Sequence, residues 1–523
     1  MRRVPRLAAI ALAIAVTAAG LLWNTQTAGG ADAYGYVSQA ALWRAGTLHV
    51  DHAFALDPPW PTPLWTFAPL GYRPALTGTD LVPIYAPGLP LLMAAAQTVA
   101  GHCAAFWVVP ILGGVLVLAT YGLGVRLGHP VDGVAAAALV ATSPAFLFML
   151  MAPMSDVPVT AFWALAIAAV LGRSTSSAIA AGLAASIAIL IRPNLVPLAA
   201  VLAIWTAWRD RHWRRCAVFI AATLPGVTAV ALVNRALYGS PATSGYESLE
   251  RLFRWEHIWP NVSRYGTWLV TAEPVLAVAG LAGLVVLLRR VGPSRDERSA
   301  AVLFLAVVIV AWAQYFPYTV FDQWWYLRFL LPAWPLLALG AAATGAAFIR
   351  SNRTRLIAAL VLIAACTVGL VQAVTRGAFR AAQGESKYTE VAAAVASIVP
   401  SDGVVLSMQH SGSLRYYAGR MTLRWDYLDP AWLDRAVAWL AAKGHRPFLL
   451  VERFERQQIR LHFDGSEVGR LDWQPLATFR NGEILLYDAM RRDKEPPPTP
   501  VPERQRMRCV PPGPQGPMPA FRW

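Results

Sequence analysis

Apolar runs long enough to cross a bilayer recur along this chain from residue 7 to residue 374, separated mostly by short loops. That pattern limits the fold sharply. Inside hydrocarbon every backbone N–H and C=O needs an internal partner, so repeated runs of roughly 20 residues fold as a bundle of helices. Composition agrees: 56% of the 523 residues are hydrophobic and 14% are charged, against roughly a quarter charged in soluble domains. The first run is read as a span and not a cleaved leader, because no convincing small-residue cleavage site precedes the next segment and many spans follow. A net charge of +15 would suggest nucleic acid in a soluble protein. Here the arginines gather in short loops between spans, where they set orientation, so nucleic acid is excluded as a partner. Cys103, Cys216, Cys366 and Cys509 lie far apart with no metal spacing and give no disulfide framework.

The runs predict about eleven spans, at 7–23, 104–125, 133–150, 157–171, 178–191, 195–208, 217–237, 268–288, 300–316, 329–349 and 356–374. The segment 82–100 is apolar but short, and Pro83, Pro87, Gly88 and Pro90 crowd its start. It is read as a helix lying at the membrane interface. With that segment left out, one set of alternate loops collects Arg2, Arg3 and Arg6, then Arg126, Arg173, Arg209, Arg211, Arg214, Arg215, Arg289, Arg290, Arg295, Arg298, Arg350, Arg353 and Arg355. The positive-inside rule makes this the cytoplasmic set. The opposite face then carries the long loop 24–101, the loop 238–267, the turn 317–328 and everything after residue 374. The expected location is an inner (plasma) membrane, with a cytoplasmic N-terminus and an extracytoplasmic tail.

After Arg376 the chain changes character. Helical segments at 388–399 and 430–443, short strands at 403–407 and 448–451, and a hairpin over 477–487 turning at Asn481-Gly482 predict a small α/β domain. The fold class is therefore an all-α polytopic membrane domain over 1–376, with interfacial helices in its first outer loop, plus a C-terminal α/β domain over 377–490. Prolines and charges dominate 491–523, which is expected to be disordered.

Four charged residues stand near span ends on the outer face. Asp32 is expected to open an amphipathic helix just past the first span. Asp156 lies in Pro153-Met-Ser-Asp-Val-Pro, Arg192 in Ile191-Arg-Pro-Asn, and Arg328 in Trp324-Trp-Tyr-Leu-Arg-Phe. Each has a bland alternative: an Asp can simply cap the helix it opens, and an Arg beside tryptophans can simply anchor the interface. Two acids and two arginines reaching one face from four separated segments argue for more, since ionisable residues near spans usually have a task.

Together these residues resemble the GT-C membrane glycosyltransferases, most closely the branch of the protein O-mannosyltransferases and the lipid A aminoarabinose transferase. The resemblance runs over about residues 7–331. It rests on Asp32 before a Tyr-x-x-x-Gln pattern, on Tyr85-Ala-Pro-Gly-Leu-Pro opening the interfacial helix, on the Asp156-x-Pro158 turn, on Arg192-Pro193 and on Arg328-Phe-Leu-Leu-Pro332. It implies transfer of a sugar from a polyprenyl-phosphate donor to a lipid, glycan or protein acceptor. It also implies that Asp32 is the general base, with Asp156 orienting an arginine or a sugar hydroxyl. Arg192, and after it Arg328, would clamp the leaving phosphate. Tyr34, Tyr36 and Tyr85 would line the sugar pocket. Three departures stand out. Many relatives carry Glu directly after the first Asp, where this chain has Ala33. The aminoarabinose transferase has a Lys before the interfacial helix where this chain has none, and Arg73 is the available substitute. The tail domain shows no motif of either family. No cofactor is certain, because the superfamily holds both metal-dependent and metal-free enzymes, so a divalent metal stays open.

Weaker candidates remain. His49, Asp51, His52 and Asp57 form a His-x-Asp-His pattern that could bind metal or be ordinary loop surface. Glu273 is expected to pair with Arg264 or Arg235, Asn261-Val-Ser matches a glycosylation sequon, and Asp322 either touches a ligand or caps a turn. Tyr416, Tyr417 and Trp425 could recognise a partner or fill a small core. Two other function classes compete: a transporter or flippase, which the span-end placement of the candidates disfavours, and a membrane scaffold whose tail binds a partner.

Overall fold

The computed structural model of the chain describes residues 3–55, 57–210, 213–246, 248–289, 295–492, 499–501, 509–514 and 516. Among these, five helices are long and apolar enough to cross a membrane: Arg3–Trp23, His102–Arg126, Trp213–Tyr238, Trp324–Ala347 and the helix beginning at Asn352. Asp156–Val170 and Thr175–Ile191 are shorter apolar helices packed among them.

Two of the expected spans are broken. Pro130–Ala141 and Pro144–Leu150 meet at 63°, and Trp255–Ala272 meets Val275–Leu288 at 107°. The cause is local in both cases. Pro144 and Pro274 have no N–H for the preceding turn, so the helix stops before each. Ser143 restarts its helix, its hydroxyl accepting from the Phe146 N–H at 3.3 Å. The two breaks then satisfy each other. Glu273 Oε1 accepts from Ser143 Oγ at 2.6 Å and from the Ala145 N–H at 2.8 Å, and Trp334 Nε1 donates to Ser143 Oγ at 2.9 Å. Glu273 is thus the joint between two broken helices and makes no arginine pair of the expected kind; Arg264 pairs with Asp322 at 2.5 Å. The helix Ile258–Ala272 and the 3₁₀ turn Trp255–His257 before it carry the exposed Trp259 and Trp255. With its sharp bend from the next helix, this is the layout of an interfacial helix. Asn261 is buried and donates to the carbonyls of Phe316 and Tyr318, so the sequon is a structural asparagine.

The loops at one end of the bundle are tied by arginines. Arg173 meets Asp296 at 2.5 Å, Arg209 donates to the Leu171 and Gly172 carbonyls, and Arg215 reaches Asp210 and the Gly172 carbonyl. Asp156 and Arg192 occupy the opposite ends of the helices that these loops join.

The first long loop contains the helix Asp32–Ala45, a ribbon of β1 (Tyr72–Pro74) and β2 (Leu81–Pro83), and the helix Gly88–Ala100. The expected interfacial helix therefore starts at Gly88, its first residues being strand. At 13 residues it is too short to span.

The tail holds a six-stranded mixed sheet of β3 (Gly403–Leu406), β4 (Met421–Leu423), β5 (Arg446–Glu452), β6 (Ala477–Phe479), β7 (Ile484–Asp488) and β8 (Thr499–Pro500), in the order β4-β3-β5-β7-β6-β8. β3 runs parallel to both β4 and β5, whereas β7 is antiparallel to β5 and β6. Side chains alternate between the faces as the pleat requires. Val404, Leu406, Leu449 and Val451 enter one core, while Val405, Phe448 and Leu450 enter the other.

The first of those cores also contains Phe54, Ala55, Trp60 and Phe67 from the long loop. Arg415 and the Arg424 N–H donate to the Phe67 and Thr66 carbonyls at 2.5 and 2.6 Å. Tyr416 is buried in the large core that runs from the helical bundle into the first loop, its ring beside those of Tyr34 and His102. The tail domain and the first loop thus share a hydrophobic interior. Cys103 and Cys509 form a disulfide across 406 residues, which corrects the expectation of no disulfide framework. The disorder expected for 491–523 falls largely outside the described residues. Within them, Thr499–Pro500 pairs with β6 and the Gly513 N–H donates to the Tyr416 carbonyl at 2.8 Å.

Candidate active site

The four charged residues converge. Asp32 is the first residue of the helix Asp32–Ala45, after Ala31 at the N-cap. Its carboxylate does not cap that helix. Oδ1 accepts from Tyr85 Oη at 2.8 Å, and Oδ2 accepts from both terminal nitrogens of Arg328 at 3.2 and 3.3 Å. Asp156 opens the helix Asp156–Val170 and also makes no cap. Its Oδ1 accepts from Arg192 Nη2 at 2.7 Å, and its Oδ2 lies 3.9 Å from Arg328 Nη1. The result is an alternating chain: Asp32, Arg328, Asp156, Arg192.

Local sequence explains the presentation. Arg192 precedes Pro193, which disfavours the α region for it; its φ of −146° and ψ of 88° end the helix Thr175–Ile191 and turn the side chain back to Asp156. Arg328 sits in a stretch of 3₁₀ helix, Trp324–Ala333, that precedes the helix Trp334–Ala347. Its guanidinium lies over Tyr326 and Phe329, 5.1 Å from each ring centre, an arrangement that supports a cation in a partly dry site.

The members differ in access. Asp156 is fully buried and Arg192 and Arg328 are 13% exposed, whereas the Asp32 side chain is 33% exposed. Arg192 Nη1 and Arg328 Nε are buried without a hydrogen-bond partner, so the cluster holds spare donors. The Tyr85 phenol is held well above its ordinary range by burial and by the neighbouring Asp32 carboxylate, so it remains a proton donor to Oδ1. Tyr36 completes the wall, its ring 4.5 Å from that of Tyr85 and its hydroxyl donating to Ser155 Oγ at 3.1 Å.

Two expected members lie elsewhere. Tyr34 is buried against Tyr72 and Tyr416; on a helix, two positions from Asp32 is about 200° around the axis, so it faces away from the cluster. Arg73 sits over the rings of Trp65 and Tyr238, because the β1–β2 ribbon carries it to that side. Ser155 joins the cluster as well, accepting from Tyr36 Oη at 3.1 Å and from Arg192 Nη2 at 2.9 Å. Its only sequence signal was its place beside Asp156.

The His-x-Asp-His pattern disperses. His49 pairs with Asp80, His52 is buried beside Phe67, and Asp57 pairs with Lys443. Among the described residues no group of three or more His, Cys, Asp or Glu could hold a metal ion.

The fold is that of the solved structures of ArnT and of the oligosaccharyltransferase AglB. No family model and no curated protein matches the sequence; the likeness is to solved structures. ArnT from Cupriavidus metallidurans bound to undecaprenyl phosphate is 12% identical with a TM-score of 0.54, covering 91% of this chain and 96% of that one. The oligosaccharyltransferase AglB from Archaeoglobus fulgidus, in complex with an inhibitory peptide and a dolichol-phosphate, is 11% identical with a TM-score of 0.56, covering 93% and 75%. At such identities the likeness speaks for the fold.

Proposed function

We propose that this chain is a membrane glycosyltransferase that moves a sugar from a polyprenyl phosphate to an acceptor on the extracytoplasmic face. The observation that carries the reading is the Asp32–Arg328–Asp156–Arg192 chain, with an accessible carboxylate at one end and a spare donor, Arg192 Nη1, at the other. The fold, shared with proteins bound to undecaprenyl phosphate and dolichol-phosphate, supports the class of donor.

In this mechanism an acceptor hydroxyl attacks the anomeric carbon as the bond from that carbon to the phosphate oxygen breaks. Asp32 takes the hydroxyl proton. The polyprenyl phosphate leaves with the electron pair and one more negative charge. Arg192 meets that charge through Nη1, the nitrogen that Asp156 and Ser155 leave unpaired, and a fixed, charged donor of this kind stabilises charge where it develops. Asp156 keeps Arg192 in place. Arg328 and Tyr85 hold the Asp32 carboxylate. One in-line displacement inverts the anomeric centre. Asp32 works without a neighbouring acid, since Ala33 stands beside it, and no step is assigned to a metal.

The test uses a deletion strain, in which the unused lipid-linked sugar is expected to accumulate. That lipid, purified, is the substrate for the full-length protein in lipid nanodiscs. Asp32→Asn should lower transfer by about 10²- to 10⁴-fold with unchanged folding. Transfer at the wild-type rate would remove Asp32 from the reaction. A wild-type protein that moves the lipid-linked sugar across vesicles without transferring it would replace the enzyme with a transporter.

A further inference from the structure

The turn that presents Asp32 is gripped from the tail domain. The Ala28 N–H donates to Tyr417 Oη at 2.7 Å. Gly29 lies flat on Tyr388: a Cβ there would sit 2.1 Å from the Tyr388 ring, so no larger residue fits. Gly30 takes a φ of +57°, a conformation glycine adopts without penalty, and faces Tyr388 Oη and Gln409 Nε2. Tyr34, two residues beyond Asp32, packs against Gly412 and edge-on to Tyr416.

Behind these contacts is a braced polar layer. Gln409 Nε2 donates to Tyr388 Oη at 2.6 Å. Glu452 takes Lys387 at 2.8 Å and His410 at 3.0 Å, and Glu455 accepts from the Gln409 N–H at 3.1 Å. Gln409 and His410 follow β3, and Glu452 ends β5. These parallel neighbours are the point where the strand order reverses: β3 leads outward to β4, and β5 leads to β7 on the other side. In open α/β sheets the crevice at the carboxyl ends of such strands usually receives a ligand. Here the chain's own Gly29–Gly30 turn lies against it. The C-terminal segment adds a clasp, with Cys509 bonded to Cys103 and the Gly513 N–H on the Tyr416 carbonyl.

We infer that the tail domain is the positioning element for Asp32, and that Tyr388 and Tyr417 are positioning residues for the transfer. The inference rests on the reading of Asp32 as base. They fix the backbone at 28–30, which fixes where the carboxylate meets Arg328 and Tyr85. A misplacement of about 1 Å can cost on the order of 10²-fold in rate, so a grip on this turn acts on kcat and leaves donor binding at Arg192 alone.

The experiment compares full-length wild type with Tyr417→Phe, which removes one acceptor and keeps the ring, and with the Gly29→Ala and Tyr388→Ala pair. Two readouts are taken. Hydrogen exchange over residues 28–34 should speed up by about tenfold in Tyr417→Phe, with the rest of the chain unchanged. With the lipid-linked sugar purified from the deletion strain, kcat should fall by roughly tenfold at unchanged KM. Gly29→Ala and Tyr388→Ala should be coupled, the double variant recovering rate over Gly29→Ala alone. Unchanged exchange at 28–34, faster exchange with unchanged kcat, or protection lost evenly over the whole chain would each overturn the inference. Full activity in Asp32→Asn sinks the reading of the base, and the exchange result still stands or falls by itself.

Discussion

The two acidic turns of the cluster look alike in sequence and differ in every physical respect that matters. Both put Asp at the first position of a helix, and neither Asp caps it. Asp156 is wholly enclosed and held by Arg192 at 2.7 Å. Asp32 is a third exposed and held more loosely, at 3.2 to 3.3 Å from Arg328. The Asp156 turn is carried inside the bundle between two helices. The Asp32 turn lies between bundle and tail, with neighbours from both. A buried acid locked to an arginine suits a support; an open acid with a lone pair to spare suits proton transfer. The difference in surroundings, more than the shared residue type, separates the roles.

The comparison breaks if both acids respond alike. Asp156→Ala leaves Arg192 buried without its charge partner, which costs about 3–5 kcal/mol, so folded yield and thermal stability should drop steeply. Asp32→Asn keeps an oxygen for Tyr85 and leaves Arg328 on its two rings. Arg328 also keeps Asp156 at 3.9 Å, so the unfolding free energy should change by about 1.5–3 kcal/mol, less than for Asp156→Ala, while transfer is lost. Equal loss of stability in the two variants, read by thermal unfolding in detergent, would erase the distinction. A smaller effect is expected from Arg192→Lys. The charge stays, but lysine has no planar group that can hold Asp156 on one nitrogen and reach the phosphate with another, and one lost hydrogen bond to a charged group amounts to about 1.5–3 kcal/mol. It should appear as weaker donor use, in kcat/KM, with an intact fold. An unaltered kcat/KM would assign the phosphate to Arg328 instead.

Much of this was legible in the sequence. Apolar runs gave the helical bundle because the bilayer permits little else. The motifs around Asp32, Asp156, Arg192 and Arg328 marked residues that do meet. The two broken helices were hidden because hydropathy sums over a window and does not see that Pro144 or Pro274 stops a helix that stays apolar beyond it. Glu273 looked like half of an ion pair, whereas the donors at Ser143 and Ala145 come from a break 128 to 130 residues away. Tyr34 and Tyr36 are both tyrosines on one short helix; only helical rotation sends one to the tail and the other to the cluster. The Cys103–Cys509 bond joins residues 406 apart, and spacing alone says nothing about such closure. The long loop and the tail read as separate pieces because their shared core is assembled from short apolar clusters, Phe54, Trp60 and Phe67 among them, that carry no periodicity.

The finest test of the contrast concerns Tyr85, which touches only the open acid. Its hydroxyl donates to Asp32 Oδ1 at 2.8 Å while its ring packs on Tyr36 and against Tyr246. Tyr85→Phe deletes the donor and keeps the rings. Asp32 keeps both Arg328 contacts, so the turn should stay folded and the cluster intact. One hydrogen bond to a charged group remains to be lost, offset by water that can reach a partly exposed carboxylate, leaving a net of about 1 kcal/mol. That corresponds to roughly a fivefold fall in kcat with donor KM unchanged. If kcat holds and thermal stability falls instead, Tyr85 braces the loop and Arg328 alone orients the base. If both hold, the open side of Asp32 is solvated well enough that only its arginine matters, and the contrast with the enclosed Asp156 is sharper than the contacts suggest.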